Sequence, residues 1–161
     1  MNRVIILPAM LAAGVLSACS HDYPSYPDGK GPQASEAQYT VTRHATNTEY
    51  AVPNQLLFAT DSAEVLPAGH KILTEIADVA KRHESGPIEV DGFTDTVGNK
   101  RHNDKLSIAR AKAVASELAQ NGVPSERIAA RGFGERELAV ATPDQVDEAK
   151  NRRVVVRIAS N

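Results

Sequence analysis

The chain has few of the residues that build a disulfide-linked or aromatic core. Its 161 residues include no Trp, three Phe and a single Cys. One cysteine excludes an internal disulfide, so the core has to rest on Val, Ile, Leu and Ala. The formal net charge is −2. This value argues against nucleic acid as a partner, because nucleic-acid binding requires a basic footprint.

Residues 1–18 are typical of an export signal and are excluded from the fold. Arg3 precedes the uncharged apolar run Val4–Val15, which is too short for a membrane-spanning helix of roughly 20 residues. Small residues then lead to Cys19, and Leu16–Cys19 resembles a bacterial lipobox. The resemblance implies cleavage before Cys19, with diacylglycerol on its sulfur and a fatty acyl chain on its new amine. An ordinary secretory signal with an incidental cysteine is the alternative.

The residues after this cysteine indicate where the protein resides. By resemblance to sorted lipoproteins, Ser20 favours the outer membrane over retention in the inner membrane. We therefore expect a lipid-anchored outer-membrane protein of a Gram-negative bacterium, with its domain facing the periplasm. Residues 19–48 are predicted to be the lipidated cysteine and a flexible tether, because residues 23–32 are rich in turn formers and lack periodicity. Within this segment, Tyr39–Arg43 is a candidate edge strand.

Residues 49–161 are the predicted folded domain, in which strand and helix patterns alternate. The strand patterns lie at Tyr50–Phe58, Pro87–Phe93, Ile128–Arg131 and Arg152–Ile158. The helical patterns lie at Pro67–Arg82, Asn103–Gln120 and, after a capping box that begins at Thr142, a short segment ending at Ala149. Such alternation implies an α/β fold with helices packed on a small mixed sheet.

Two charged residues stand out in this domain. Asp95 follows the end of a predicted strand, and Arg110 falls in the apolar stripe of the next helix. An unpaired guanidinium is very costly to desolvate. Arg110 therefore either forms a structural ion pair, for example with Asp95, or faces a pocket that receives an anion. A carboxylate and a guanidinium without an adjacent nucleophile suit the binding of a zwitterion better than catalysis.

The spacing of residues around this pair resembles the OmpA-like C-terminal domain, a family that binds peptidoglycan. The resemblance is carried by Gly92, Thr94, Asp95, Gly98, Asn103, Leu106, Ser107, Arg110, Ala111, Gly132, Gly134, Glu135 and Asn151–Arg153. It implies the family's βαβαβ two-layer sandwich, with the predicted short helix and C-terminal strand as additions. It also implies a non-enzymatic protein without a cofactor. Together with the lipobox, the Lys150–Arg153 run resembles the peptidoglycan-associated lipoprotein branch, which also binds a partner of the Tol system.

The resemblance further implies a ligand, the free end of diaminopimelate in the peptidoglycan stem peptide. Arg110 would hold its carboxylate through a bidentate fork, and Asp95 would accept from its ammonium. Six residues are expected to support this pocket: Thr94, Gly98, Asn103, Leu106, Ser107 and Arg153. Asn103 is equally a candidate helix N-cap, and a solvated arginine is the alternative for Arg153.

The sequence departs from the family at four positions, which are Phe93, Leu138, Asp147 and Glu148. These departures concern contacts at the rim rather than the Asp95 and Arg110 pair. An envelope or secretion-system scaffold that uses the wall as an anchor is a second hypothesis.

A peptidoglycan hydrolase is a weaker hypothesis. Its acid/base pair would be Asp91 and Asp95, which strand geometry places roughly 13 Å apart. That distance exceeds the roughly 5–9.5 Å of glycosidase carboxylates. Ser107, His102 and Asp104 lack a nucleophile elbow, and the histidines show no metal-binding spacing.

Overall fold

One mixed sheet of five strands organises the domain, in the order β1-β2-β5-β3-β4. The computed structural model describes residues 39–83 and 85–160, so the predicted signal, Cys19 and most of the tether lie outside the described residues. The strands are β1 (Thr40–Arg43), β2 (Asn47–Pro53), β3 (Ile88–Phe93), β4 (Ile128–Gly134) and β5 (Arg153–Ala159). β3 and β4 are parallel, and the other neighbouring strands are antiparallel.

The helices connect these strands. They are α1 (Asn54–Leu57), α2 (Pro67–Arg82) and α3 (Lys100–Gln120), and a 3₁₀ turn covers Ser125–Arg127. Pro67 occupies the first turn of α2, where its missing N–H is not needed. The two-layer α/β architecture implied by the resemblance is confirmed. None of the helices in the described ranges is long and apolar enough to cross a bilayer.

The hydrophobic core lies between the sheet and the two long helices. The sheet contributes Val52, Ile88, Val90, Val154, Val156 and Ile158, and the helices contribute Leu73, Ile76, Val114 and Leu118. All of these side chains are buried. Because side chains alternate along a strand, the even-numbered residues of β5 face the helices, and the odd-numbered residues face the other side of the sheet.

Two glycines allow α3 to lie unusually close to the sheet. A Cβ atom at Gly92 would clash with the carbonyl of Ser107, and one at Gly132 would lie 2.5 Å from the backbone nitrogen of Ile108. Any larger residue would push the helix away from β3 and β4. This close approach sets the distance between the end of β3 and the first turns of α3.

Several element boundaries differ from the prediction, including the end of β4 at Gly134 rather than Arg131. β2 ends at Pro53, not Phe58, and the apolar residues after it form α1 instead. β1 confirms the candidate edge strand at Tyr39–Arg43, and together with the start of β2 it lies within residues assigned to the tether, so the folded part begins before residue 49. α3 begins at Lys100 because Asn99 caps it, accepting from the backbone nitrogens of Arg101 and His102 at 2.9 and 3.4 Å.

The predicted short helix ending at Ala149 was wrong. This segment contains turns and irregular backbone, and Gln145 adopts a φ of 60°, which a right-handed helix does not allow. Its polar groups bond to another loop instead: the hydroxyl of Thr96 donates to the carbonyl of Pro143 at 2.7 Å. Tertiary hydrogen bonds therefore override a capping sequence that would favour a helix in isolation.

Candidate functional site

A cleft of about 700 Å³ lies where β3 ends and α3 begins. Five short stretches form its walls: 54–61 with Leu66, 94–98, 102–106, Arg110, and the pair Asp147 and Arg152. Of the residues predicted from the sequence, Asp95, Arg110, Thr94, Gly98, Asn103 and Leu106 line this cleft. Ser107 and Arg153 lie outside its lining.

Arg110 places a cation in the wall of the cleft with only 5% of its surface exposed. Its Nε donates to the carbonyl of Ser62 at 2.8 Å, and its guanidinium lies 5.4 Å from the ring centre of Phe58. No carboxylate of the described residues forms an ion pair with it, so the structural pairing with Asp95 is not formed in this state. Burial lowers the pKa of Arg110, while the neighbouring charge of Asp61 raises it. The terminal nitrogens of this arginine therefore suit an anion supplied by a ligand.

Asp95 is equally buried and is already paired. Its Oδ1 accepts from the backbone nitrogen of Val97 at 3.2 Å, and its Oδ2 accepts from Arg152 at 2.5 Å. Arg152 also donates to Asp147, and this bond, followed by that to Asp95, raises the pKa of Arg152. The cleft therefore holds a carboxylate, Asp95, that shares a single arginine with a second carboxylate at the rim.

Arg152 was missed as a cleft residue, although the sequence contained a signal for it. Its neighbour Arg153 was named instead. Val154 and Val156 are core residues, so strand alternation places Arg152 on the helix side and Arg153 on the opposite side. The guanidinium of Arg153 stacks on Phe93 at 3.9 Å, and burial lowers its pKa. Arg153 thus reaches the cleft only indirectly, through the strand residue that precedes Thr94.

The loop that carries Asp95 is held from two sides. Asn103 donates from Nδ2 to the carbonyl of Val97 at 3.0 Å, which is a bracing contact rather than a helix cap. Gly98 adopts a φ of 90°, a conformation that favours glycine. The side-chain amide of Gln145 bonds both the N–H and the C=O of Gly98 at 3.0 Å. A loop fixed in this way holds its carboxylate in place before any ligand arrives.

Ser107 anchors the helix rather than facing the cleft. Its hydroxyl accepts from the backbone nitrogen of Gly134 at 2.9 Å and donates to the carbonyl of Asp104 at 3.0 Å. His102 is another residue of the catalytic triad considered above. Its Nε2 lies 2.6 Å from Oδ1 of Asp61 at the mouth of the cleft. These three residues are therefore not arranged as nucleophile, base and acid.

The sequence analysis also did not predict that residues 54–61 form part of the cleft wall. Asn54 is buried and donates from Nδ2 to the carbonyl of Phe93 at 3.2 Å. Its backbone nitrogen donates to the carbonyl of Arg152 at 2.9 Å. Because this stretch was assigned to a strand, its turn and the polar wall it forms were not anticipated. The apolar run was the only local signal, and such runs do not distinguish strand from helix.

Asp91 lies on the other face of the sheet and has a different environment. It is 1% exposed, and its carboxylate accepts from Arg131 at 2.8 and 3.2 Å and from Arg157 at 2.5 Å. It does not line the cleft, so Asp91 and Asp95 do not share a site. No group of three or more His, Cys, Asp or Glu suited to a metal occurs within residues 39–83 and 85–160.

Comparisons with known proteins show what this chain is similar to. Residues 57–152 match the model of the OmpA family. Probable lipoprotein YiaD of Escherichia coli K12 is 35% identical over 120 residues, which is 74% of this chain and 55% of that protein. The chain thus spans about half the length of this relative.

Two solved structures extend the comparison. The cell wall anchor of the T6SS from Pseudomonas aeruginosa has a TM-score of 0.69 and 27% identity, over 80% of this chain and 92% of that one. The peptidoglycan-associated lipoprotein from Burkholderia pseudomallei has a TM-score of 0.57 and 29% identity, over 66% of this chain and 88% of that one. The resemblance noted from the sequence is therefore confirmed.

Proposed function

Because this chain belongs to the OmpA family, we propose that its domain binds peptidoglycan non-covalently, through the diaminopimelate of the stem peptides. The observation that carries this proposal is Arg110, a buried guanidinium that lines the cleft without a carboxylate partner among the described residues. The names of two structural neighbours, a cell wall anchor and a peptidoglycan-associated lipoprotein, support the same ligand class.

The free end of diaminopimelate carries a carboxylate and an ammonium on one carbon atom. Arg110 donates to the carboxylate, and the low exposure of this site strengthens such charge-assisted hydrogen bonds. The ammonium lies against Asp95 and shares its carboxylate with Arg152. Because Arg152 also donates to Asp147, this arginine keeps a partner when the ammonium binds beside Asp95.

We favour binding over catalysis because of the charged groups themselves. Asp91, which the hydrolase hypothesis requires as the partner of Asp95, is held by two arginines on the opposite face of the sheet. Asp95 is itself paired with an arginine. The cleft therefore offers complementary charges for a zwitterion.

Membrane attachment is the second part of the proposal. Cys19, although outside the described residues, carries the lipid anchor in the outer membrane, and the following segment links it to the periplasmic domain. The lipoprotein name of the Escherichia coli relative supports this part. The protein then tethers the membrane to the wall. A Tol-like protein partner remains a prediction of the resemblance.

A secretion-system anchor is the second candidate, and one observation favours it. The structural neighbour with the TM-score of 0.69 is the cell wall anchor of a secretion system. The two candidate functions share the wall-binding cleft. They differ in what the chain connects to the wall, which is the outer membrane in the first and a secretion complex in the second. Isolation of a secretion complex with the full chain as bait would favour the anchor, and its absence together with a loosened outer membrane in a deletion strain would favour the tether.

The experiment that tests wall binding is sedimentation of the full chain, in detergent, with isolated sacculi of two chemotypes. Sacculi with diaminopimelate carry the carboxylate that Arg110 requires, whereas sacculi with lysine at the same stem position carry only the ammonium. We expect binding to the first kind and at least tenfold weaker binding to the second, because a charge-assisted hydrogen bond is worth roughly 1.5–3 kcal/mol.

Variants sharpen this experiment. Arg110→Met and Asp95→Asn are each expected to reduce binding to diaminopimelate sacculi to the level seen with lysine sacculi. Lys112→Gln is the matched control, because Lys112 is an exposed cation on the same helix and outside the cleft. Equal sedimentation of the wild type with both kinds of sacculi, or full retention of binding by Arg110→Met, would disprove the proposed ligand.

A further inference from the structure

Two exposed cations near the start of α3 have no partner among the described residues. The side chains of Arg101 and Lys105 lie one helical turn apart, and neither forms an ion pair or a hydrogen bond within the part of the chain that the structure describes. Asp104 lies between them in the sequence, but its carboxylate accepts from Arg136 at 2.9 Å instead. Both cations are therefore available to an anion from outside the domain.

This arrangement works against the stability of α3. The first turn of the helix contains no acidic residue, and its first three residues, Lys100–His102, are all basic. The N-terminus of a helix carries a partial positive charge, so cations are unfavourable there, and like charges four residues apart repel each other. Arg101 and Lys105 break both rules without a compensating contact in the described domain. Such violations are expected at functional positions.

The two cations line an open pocket that adjoins the cleft. Its volume is about 340 Å³, and its walls are formed by Asn99, Arg101, His102 and Lys105. Asn99 already caps the backbone nitrogens of Arg101 and His102, so the side chains rather than the helix end offer free donors. His102 also lines the cleft. A ligand that extends out of the cleft past His102 therefore reaches a positively charged surface.

The spacing along α3 matches the chemistry of the stem peptide. At a rise of about 1.5 Å per residue, Lys105 and Arg101 lie about 8 and 14 Å before Arg110 along the helix axis. In the stem, D-glutamate precedes diaminopimelate, and its α-carboxylate stays free because the peptide continues from the γ-carboxyl group. In an extended stem this carboxylate lies roughly 12 Å from the free end of diaminopimelate. A stem whose free end is held at Arg110 thus brings the carboxylate within reach of both cations.

We propose that Arg101 and Lys105 bind the α-carboxylate of the D-glutamate in the stem peptide, so that this chain distinguishes the free carboxylate from its amide. The inference rests on the proposed function and adds a contact outside the cleft. Exposed ion pairs contribute a modest free energy, and salt weakens them. The amide has no charge and gains none of this attraction. The pocket therefore contributes to specificity more than to total affinity.

The measurement is calorimetric titration of the full chain, in detergent at low salt, with two synthetic tripeptides. One is L-Ala-γ-D-Glu-diaminopimelate, and the other is the same peptide amidated at the α-carboxyl group of its D-glutamate. The wild type should bind the acid about three- to fivefold more tightly than the amide, which is the factor expected from two exposed ion pairs. The double variant Arg101→Gln/Lys105→Gln should bind both peptides with the affinity that the wild type has for the amide.

A matched control separates this contact from the overall charge. Lys71→Gln/Lys112→Gln removes the same charge from two exposed lysines that line neither the pocket nor the cleft. This control should keep the wild-type preference for the acid. The unfolding midpoint of the Arg101 and Lys105 variant should equal or exceed that of the wild type, because the removed cations oppose the helix dipole.

The outcomes distinguish the two proposals. If the wild type binds neither peptide, the proposed function itself fails. If the wild type binds both peptides equally, or if the Arg101 and Lys105 variant keeps the preference, the function stands and the carboxylate contact is wrong. An equal loss of preference in the Lys71 and Lys112 control would also overturn the inference, because the effect would then come from the total charge of the domain.

Discussion

Arg110 is proposed to bind the ligand, although the empty domain gains little stability from it. Its guanidinium is buried, burial lowers its pKa, and no described carboxylate forms an ion pair with it. Replacing a buried charge with an apolar side chain of similar length is often neutral or stabilising. Residues of this kind are retained for function rather than for stability.

We therefore expect Arg110→Met to separate stability from binding. The variant loses the hydrogen bond to Ser62 and the contact with Phe58, but it also loses the desolvation penalty of the guanidinium. The free energy of unfolding should change by no more than about 1 kcal/mol, as measured by urea denaturation. Binding to diaminopimelate sacculi should disappear. A loss of about 3 kcal/mol or more would instead identify Arg110 as a structural residue.

Asp91 is predicted to show the opposite behaviour. Its carboxylate joins Arg131 and Arg157 across three strands while being only 1% exposed. Asp91→Ala should lower the free energy of unfolding by about 2–3 kcal/mol, below the usual range for a broken buried pair because both arginines are partly exposed. Asp91→Asn should lose less, since it still accepts a hydrogen bond. Sacculus binding per folded molecule should not change in either variant, and a binding defect would mean that this face contacts the wall.

At the scale of the elements, β1 is joined to the domain by an ionisable contact. Tyr39 donates to Glu75 of α2 at 3.2 Å and contacts the ring of Tyr50, with 6.5 Å between ring centres. Burial first, and then the charge of Glu75, raises the pKa of Tyr39 to about 12. Burial also raises the pKa of Tyr50.

These shifts predict a loss of stability at alkaline pH. A tyrosine whose pKa is higher in the folded state than its ordinary value near 10 keeps its proton longer when folded. Its contribution is complete below about pH 10 and is lost as the pH rises toward 12. The unfolding midpoint of Tyr39→Phe should therefore fall less steeply than that of the wild type over this window. Parallel curves would show that β1 is not held through the hydroxyl of Tyr39.

How far the sequence predicted these elements depended on which forces decide them. The apolar periodicity of α2 gave Pro67–Arg82 correctly, because burial against the sheet selects the same residues that make the period. The capping box at Thr142 failed, since the carbonyl of Pro143 and the amide of Gln145 bond to the 94–98 loop instead. Local capping is worth about 1 kcal/mol, and several tertiary hydrogen bonds exceed it.

Some residues of the candidate site were predicted from the sequence, and others were not. Asp95 and Arg110 were named from their spacing, and both line the cleft. Arg152 was not assigned to the site, although strand alternation already placed it with Val154 on the helix side. Asn54 could not have been named, because its role depends on a carbonyl of Phe93 that is distant in sequence. Contacts between such distant residues leave no periodic trace in the sequence.

At the scale of the whole molecule, the proposed tether requires two attachments on one chain. In this proposal, the lipid on Cys19 holds the membrane and the cleft around Arg110 holds the wall. Several acyl chains make a firm anchor, whereas one chain alone binds membranes only marginally. The link between membrane and wall therefore requires the lipid and the cleft on the same chain. The total number of lipids or of clefts in the sample does not determine it.

This dependence can be measured with fluorescent vesicles that carry the lipidated protein and are pelleted with sacculi at low speed. The wild type should bring the vesicles into the pellet. Cys19→Ser should still bind sacculi and leave the vesicles in solution, whereas Arg110→Met should remain on the vesicles and leave the sacculi free. A mixture of the two variants should not restore pelleting, because neither chain holds both surfaces. Restored pelleting would contradict a single-chain tether and would show that copies associate, with each supplying one end.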